Sequence, residues 1–262
     1  MQLLTASRPE LVPLFTGLSA RQFRKLVTVV RRRSEGRVAD GRPGRQWCLP
    51  LADRVLLVAT YYRTNLTMRQ LAPLFGIKVA AVHRIIDRLG PHLAVTPTRR
   101  RHTPQTVLIV DGTLVPTRDR QVAAPSKNYR HSTNLQVVID ADTRLVVAVG
   151  DPQAGNRNDC IAYRASGVHT ATAGAHVMAD GAYRGPNCAG VIIPHRRRTA
   201  DELLPSWKEE HNASHRRVRA RIEHVFARMK TWKIMRDCRR RGTGVAHAAR
   251  AVALMHNLAS AG

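Results

Sequence analysis

The chain has 262 residues, with 43 Lys and Arg against 18 Asp and Glu, a net charge of +25 and 44% hydrophobic residues. That is length for one large domain or two ordinary ones, and too apolar a composition for global disorder. The basic excess is no detachable tail: 19 basic residues face 5 acidic ones before Thr106, and 24 face 13 from there on. A field of this sign attracts phosphate backbones. Cys48, Cys160, Cys188 and Cys238 are widely spaced, which argues against a zinc ribbon or a disulfide framework and for reduced thiols. No run of 18 apolar residues and no charged-then-apolar leader is present, so a cytoplasmic protein with no membrane partner is expected.

Residues 1–30 read as helical. Ser19 precedes an apolar-periodic stretch and is followed three residues on by Gln22, a capping-box pattern that starts a helix. Residues 31–46 are basic, contain Gly and lack periodicity, so a loop is expected there. A second helix covers about 51–63. Residues 67–89 then fit a helix–turn–helix: Thr67 as cap, small Ala72 where two helices meet, Gly76 in the turn, and Ile77, Val82 and Ile85 as the packed side of the second helix. His83, Arg84 and Arg88 fall on its exposed side as candidate DNA contacts, although an ordinary helical hairpin uses the same small residues. Two prolines and Arg99-Arg100-Arg101 within residues 93–105 have the composition of a linker. The expected division is a helical domain over 1–100 and a second domain over 101–262.

From there the texture changes to strands. Residues 106–113, T-V-L-I-V-D-G-T, read as a central buried strand ending at Asp111. Residues 134–141 and 144–151 form a hairpin. A helix capped by Asn158 or Asn156 lies within 155–167. Residues 175–181 (A-H-V-M-A-D-G) are a second strand ending in Asp-Gly, at Asp180, and 190–195 a short strand before Arg196-Arg197-Arg198. A long helix follows over about 207–232, and an apolar one over 245–259. With the first three strands antiparallel and the fourth beside the first, Asp111 and Asp180 end adjacent strands. Two carboxylates held that close call for a divalent cation.

In the long helix, Val218, Ile222, Val225 and Met229 form an apolar stripe, and Arg219, Glu223 and Lys230 share a neighbouring one at about 100° per residue. A solvated salt-bridging face would look the same locally, since Arg219 and Glu223 are an i,i+4 pair. An acid flanked by two bases also suits a site that holds a metal and grips a phosphate.

Asp111 in V-D-G-T, Asp180 in M-A-D-G-A-Y-R-G and Glu223 in R-A-R-I-E-H-V-F-A-R-M-K together resemble the acidic triad of DDE-superfamily transposases of bacterial insertion sequences, relatives of the Harbinger-type nucleases. The last motif resembles the pattern Y-x-x-R-x-x-x-E-x-x-x-x-x-x-K, with Arg216 at the Tyr position. The resemblance spans nearly the whole chain. It implies an α+β protein, a helix–turn–helix domain followed by a ribonuclease-H-like mixed-sheet catalytic domain. It also implies metal-dependent phosphoryl transfer with Asp111, Asp180 and Glu223 holding two Mg²⁺ (or Mn²⁺) ions. Arg219 and Lys230 would contact the scissile phosphate, and Arg196, Arg197 and Arg198 the backbone. Asp159, in G-N-R-N-D, is a supporting residue under the same resemblance. The implied partners are double-stranded DNA, at element terminal repeats and target, and further copies of the chain, with nucleoid association when DNA-bound. The competing expectations are a DNA-binding regulator that has lost catalysis and a metal-dependent endonuclease that cuts without joining.

Overall fold

The computed structural model describes residues 2–38, 40, 46–94, 103, 105–126, 130–197, 199 and 203–261. The chain forms two compact units, one from Met1–Val95 with Met229–Gly262, the other from Thr96–Arg228.

The first unit is helical. It contains α1 (Val12–Thr16), α2 (Ala20–Arg33), α3 (Leu51–Thr64), α4 (Met68–Leu74), α5 (Val79–Leu89) and, from the far end of the chain, α9 (Gly244–Ser260). The helix α3 is its axis: Leu51 and every residue from Asp53 to Tyr62 are buried, Asp53, Arg54 and Thr60 among them. The cap of α2 is as the sequence predicts, Gln22 N–H donating to Ser19 Oγ and Ser19 N–H to Gln22 Oε1. Thr67 and Gln70 repeat the arrangement at the start of α4. Gly76, at φ +63°, makes the turn into α5, where a side chain would be strained. Ala81, Val82, Ile85, Ile86 and Leu89 form the buried side of α5.

By packing, residues 229–262 group with the N-terminal helices. The physical reason is α9, which buries Val245, Ala249, Val252 and Met255 against α2 and the short 3-10 turn Gly90–Leu93. Asn65, at the left-handed C-cap of α3, donates from Nδ2 to Asp237 O (2.9 Å), and Arg239 Nη2 donates to Asn65 O (2.5 Å).

The second unit is a mixed sheet covered by helices. Its strands are β1 (Val107–Pro116), β2 (Ala124–Pro125), β3 (His131–Asp140), β4 (Val146–Val149), β5 (Gln153–Ala154), β6 (His176–Met178) and β7 (Val191–Ile192), and its helices α6 (Asp159–Ala165), α7 (Val168–Ala171) and the long α8 (Ser206–Met229). β1 lies antiparallel to β3 on one edge and parallel to β6 on the other, and β7 is parallel to β6. β3 and β4 form the expected hairpin, its turn held by Asp140 Oδ1, which accepts from Thr143 N and Oγ1. This is the α+β organisation expected, with a helical region ahead of a mixed sheet.

β1 departs from the sequence reading in one respect. Asp111 does not end the strand; pairing with β3 continues from Gly112↔Gln136 to Pro116↔Ser132. On its other edge β1 loses its partner earlier, because the last β6 pair is Ile109↔Met178. Asp111 is thus mid-strand on one edge and at the rim of a notch on the other. Among the described residues no helix is long and apolar enough to cross a membrane.

Candidate active site and nucleic-acid surface

Side chains alternate across a strand, and in β1 this alternation sorts the chemistry. Leu108 and Val110 point into the core cluster shared with Cys160 and Tyr163 of α6, so Gly112 also turns towards α6. Ile109 and Asp111 point to the opposite face, where α8 lies and Arg219 Nη1 donates to Asp111 Oδ2 (3.2 Å). The β6 pairing ends at Ile109↔Met178, and Asp180 follows two residues later in the chain, near enough for its charge to act on the Asp111 carboxyl. Asp180 Oδ1 accepts from Ala182 N (2.8 Å), fixing the turn after β6.

Burial dominates the electrostatics of Asp111, whose side chain is 16% exposed. Loss of solvation pushes its carboxyl up to about 6; the Arg219 guanidinium opposes this, Asp180 adds to it, the Gly112 N–H bond to Oδ1 (2.8 Å) opposes it and Asp159 adds again. The pocket thus holds more negative charge than one guanidinium balances.

Glu223 reaches this site through Arg219. Arg219 Nη2 donates to Glu223 Oε1 (2.8 Å) while Nη1 holds Asp111, so a single cation bridges two acids of the expected triad. The i,i+4 pair of an ordinary helix face is therefore present, but its Arg is anchored in the sheet rather than in solvent. Among the described residues no group of three or more His, Cys, Asp or Glu side chains is arranged to hold a metal ion. The donor set itself suits a hard divalent ion: oxygen ligands only, partly buried and short of positive charge.

Lys230 directly follows the last residue of α8, Met229, and its carbonyl accepts from Arg236 Nε (2.7 Å). Arg196 is exposed and, with Arg184, His195 and His211, lines an open cavity of about 450 Å³. Arg197 pairs loosely with Glu209 (3.5 Å). Arg198 lies outside the described residues.

Sequence reasoning singled out Asp159 but missed the residues around it. Asn134, Gln136 and Tyr183 are buried polar side chains on the α6 side of the sheet. Asp159 Oδ1 accepts from Asn134 Nδ2 (2.8 Å) and Gln136 Nε2 (3.1 Å), and Gln136 Oε1 accepts from the Tyr183 hydroxyl (2.5 Å). The available signal was Asn134 and Gln136 on either side of Leu135, on one face of the strand.

On the helical unit, His83, Arg84 and Arg88 are all exposed on α5, as the periodicity requires. They are not equivalent. His83 Nδ1 lies 2.7 Å from Asp87 Oδ2, and Asp87 also pairs with Arg240. Arg88 stacks on the Trp47 ring at 5.4 Å. Arg84 and Arg88 border a cavity of about 290 Å³ with Trp47 and Cys48.

A mixed sheet carrying the buried Asp111, the long helix α8 bonded to it through Arg219, and a helix–turn–helix unit are the parts expected of a DDE-type DNA-processing enzyme. The chain belongs to the DDE-superfamily transposases of insertion sequences: residues 102–258 match the family described as Transposase DDE domain, and residues 47–98 that described as Helix-turn-helix of DDE superfamily endonuclease. Over 259 residues (99% of this chain and 98% of the relative) it is 62% identical to a protein of Streptomyces albus G named as a transposase for insertion sequence element IS112. It is 24% identical over 244 residues, 84% of this chain and 83% of the relative, to one of Microchaete diplosiphon named for insertion sequence element IS702. Among solved structures it resembles the piggyBac transposase synaptic complex with hairpin DNA at TM-score 0.47 and 11% identity, over 95% of this chain and 73% of that one. That likeness is too distant to add to the assignment. The family generally uses divalent metals, and its helix–turn–helix region binds DNA.

Proposed function

We propose that Asp111, Asp180 and Glu223 are the acids through which this transposase cuts insertion-sequence ends and joins them to target DNA, holding divalent metal, Mg²⁺ or Mn²⁺, in two sites. The observation that supports this reading is the buried Asp111, bonded to Arg219 of α8, which also holds Glu223, and within reach of the Asp180 charge. When bound, the metal supplies activation of the attacking water or DNA 3′-OH and stabilises the departing oxygen. The protein's own part is positional. Asp111 and Asp180 are fixed by the sheet, and Glu223 comes from the helix opposite. Arg219, now balancing Asp111 and Glu223, grips the scissile phosphate once cations take over those acids. Lys230, Arg196, Arg197 and Arg198 hold the backbone, contributing affinity rather than sequence choice.

His83, Arg84 and Arg88 read the element's terminal repeats, with Asp87 orienting His83, and two or more copies of the chain assemble on paired ends. The domain at 101–262 keeps its catalytic part in 101–228, while 229–262 supports the DNA-binding helices. The test is an end-cleavage and strand-transfer assay with the full chain and its element-end DNA in Mg²⁺. Nicked ends and joined product are the expected result. Cutting with no joined product would reduce the protein to an endonuclease, and neither product would make it a DNA-binding regulator.

A further inference from the structure

Asp111 points to the α8 face of β1, yet a second carboxylate, held by two buried amides, lies on the other face. Asp159, the first residue of α6, rests directly against the backbone of Gly112. A Cβ built on Gly112 would lie 2.3 Å from Asp159 Oδ1 and 2.8 Å from Gln136 Nε2, so any side chain there would have to push these groups aside. Gly112 is also the residue whose N–H donates to Asp111 Oδ1 (2.8 Å). The backbone that orients Asp111 is thus clamped between that bond and Asp159.

The same carboxylate is tied to the turn carrying Asp180. Asp159 Oδ1 accepts from Gln136 Nε2, and Gln136 Oε1 accepts from the Tyr183 hydroxyl. Tyr183 N in turn donates to Asp180 O (3.2 Å). Asn134 closes the network, donating to Asp159 Oδ1 and accepting from Gln136 Nε2 (3.0 Å). Gln136 is fully buried and Tyr183 1% exposed; polar groups this deep are retained only when satisfied. Among the described residues Asp159 has amide donors but no ion-pair partner. Its charge therefore adds to that of Asp111 and Asp180 from behind the strand.

We propose that Asp159 is a positioning residue for the metal-holding acids, fixing Asp111 through Gly112 and Asp180 through Gln136 and Tyr183, and supplying from the rear a negative charge that raises the site's affinity for divalent cations. It is not a metal ligand, because β1 stands between it and the α8 face. The inference rests on the assignment of Asp111 and Asp180 made above.

Asp159→Asn keeps the shape and an acceptor oxygen while removing the charge. Residues that support metal ligands typically change metal affinity or activity by about 10–100-fold. For the full chain, the Mn²⁺ concentration giving half-maximal nicking should rise by about that factor in Asp159→Asn. The maximal rate should return to within a few-fold of wild type at saturating metal. Without DNA, the rise in melting temperature on adding Mn²⁺ should shrink in parallel, while melting in EDTA stays unchanged or rises. Tyr183→Phe, which cuts the link to the Asp180 turn with no change of charge, should shift the requirement in the same direction by a smaller factor. Should Asp159→Asn fold poorly, Tyr183→Phe alone decides. A wild-type Mn²⁺ requirement in the variant that folds, or a lost rate that metal does not restore, overturns the proposal. Asp111→Asn, run alongside, separates the two levels: if it nicks normally, the site assignment itself has failed. If it is inactive while Asp159→Asn needs no more metal than wild type, only the positioning role has.

Discussion

The helix α5 and the acid notch of β1 use charge in opposite ways. On α5, His83, Arg84, Asp87 and Arg88 all stand exposed on a face whose reverse buries Val82, Ile85 and Leu89. At Asp111 the charge is drawn into the protein, 16% exposed, beside another acid and held by one guanidinium. Exposed charges are screened and can be exchanged at small cost to folding, whereas a desolvated carboxylate facing a like charge costs stability that function must justify. The helical surface therefore suits adjustable affinity for a polyanion, and the notch suits one demanding task, the capture of a cation.

The strongest break in this comparison comes from removing the notch acids. Asp111→Ala and Asp180→Ala should each abolish Mg²⁺-dependent nicking, a loss of at least about 10²–10³-fold by analogy with deleting one electrostatic stabiliser of a transition state. Binding of the full chain to element-end DNA should persist. A gel-shift run beside the nicking assay separates the two effects, and retained nicking in Asp111→Ala would erase the distinction between the regions.

The helical unit is vulnerable elsewhere. Met255 on α9 is fully buried, so Met255→Ala should destabilise that unit by about 2–5 kcal/mol, the usual cost of a core truncation. Thermal melting and DNA affinity should fall together, although the residue lies more than 150 positions from α5 in sequence. A fragment ending near residue 100 lacks α9 and should bind DNA poorly for the same reason. Full affinity in such a fragment would show that α9 is dispensable.

The buried charge also has a pH signature. The Asp111 carboxyl is raised from 3.8 to about 6 in the folded chain, so the folded state binds its proton more tightly than the unfolded state does. The stability this contributes is present below pH 4 and lost as pH rises through about 6. In metal-free buffer Asp111→Asn should match wild type near pH 4 and exceed it above pH 7, by on the order of 2–3 kcal/mol. Melting curves across that range check it; a pH-independent difference would mean that burial is not what strains this carboxylate.

On the α5 face the effects should be smaller and graded. Arg84→Ala should cost about 1–3 kcal/mol of binding if it reads a base edge, with specificity relaxed at one position. Arg196→Ala should weaken binding to all sequences alike and lower the salt slope by about one. If Arg84→Ala weakens specific and random DNA equally, its contact is with phosphate.

The same contrast explains what was legible in the sequence. Helical periodicity, caps at Ser19 and Thr67 and the turn at Gly76 are local, and they located the helix–turn–helix almost to the residue. The main strands were legible for the same reason, and the place of β6 beside β1 followed from their order. Three things were not local. The continuation of β1 past Asp111 depends on its partner β3, which offers register pairs as far as Ser132. The return of α9 to the N-terminal unit depends on a face of α2 that no linear pattern names. The network of Asn134, Gln136, Asp159 and Tyr183 draws on a strand, a helix and a turn, and only the polar alternation of β3 hinted at it.

The central claim is that Glu223 belongs to the acid site and not merely to the surface of α8. It is 56% exposed and paired at i,i+4 with Arg219, as an inert salt bridge would be, so the two readings diverge on one substitution. Glu223→Gln keeps size and helix propensity while removing the charge a hard cation requires. As a surface pair it would cost no more than about 0.5 kcal/mol of stability and leave cleavage intact. The decisive measurement is the Mg²⁺-dependent nicking rate of full-length Glu223→Gln on element-end DNA, with its melting temperature recorded alongside. A rate lower by orders of magnitude at nearly unchanged melting is the predicted result, and a wild-type rate would contradict it.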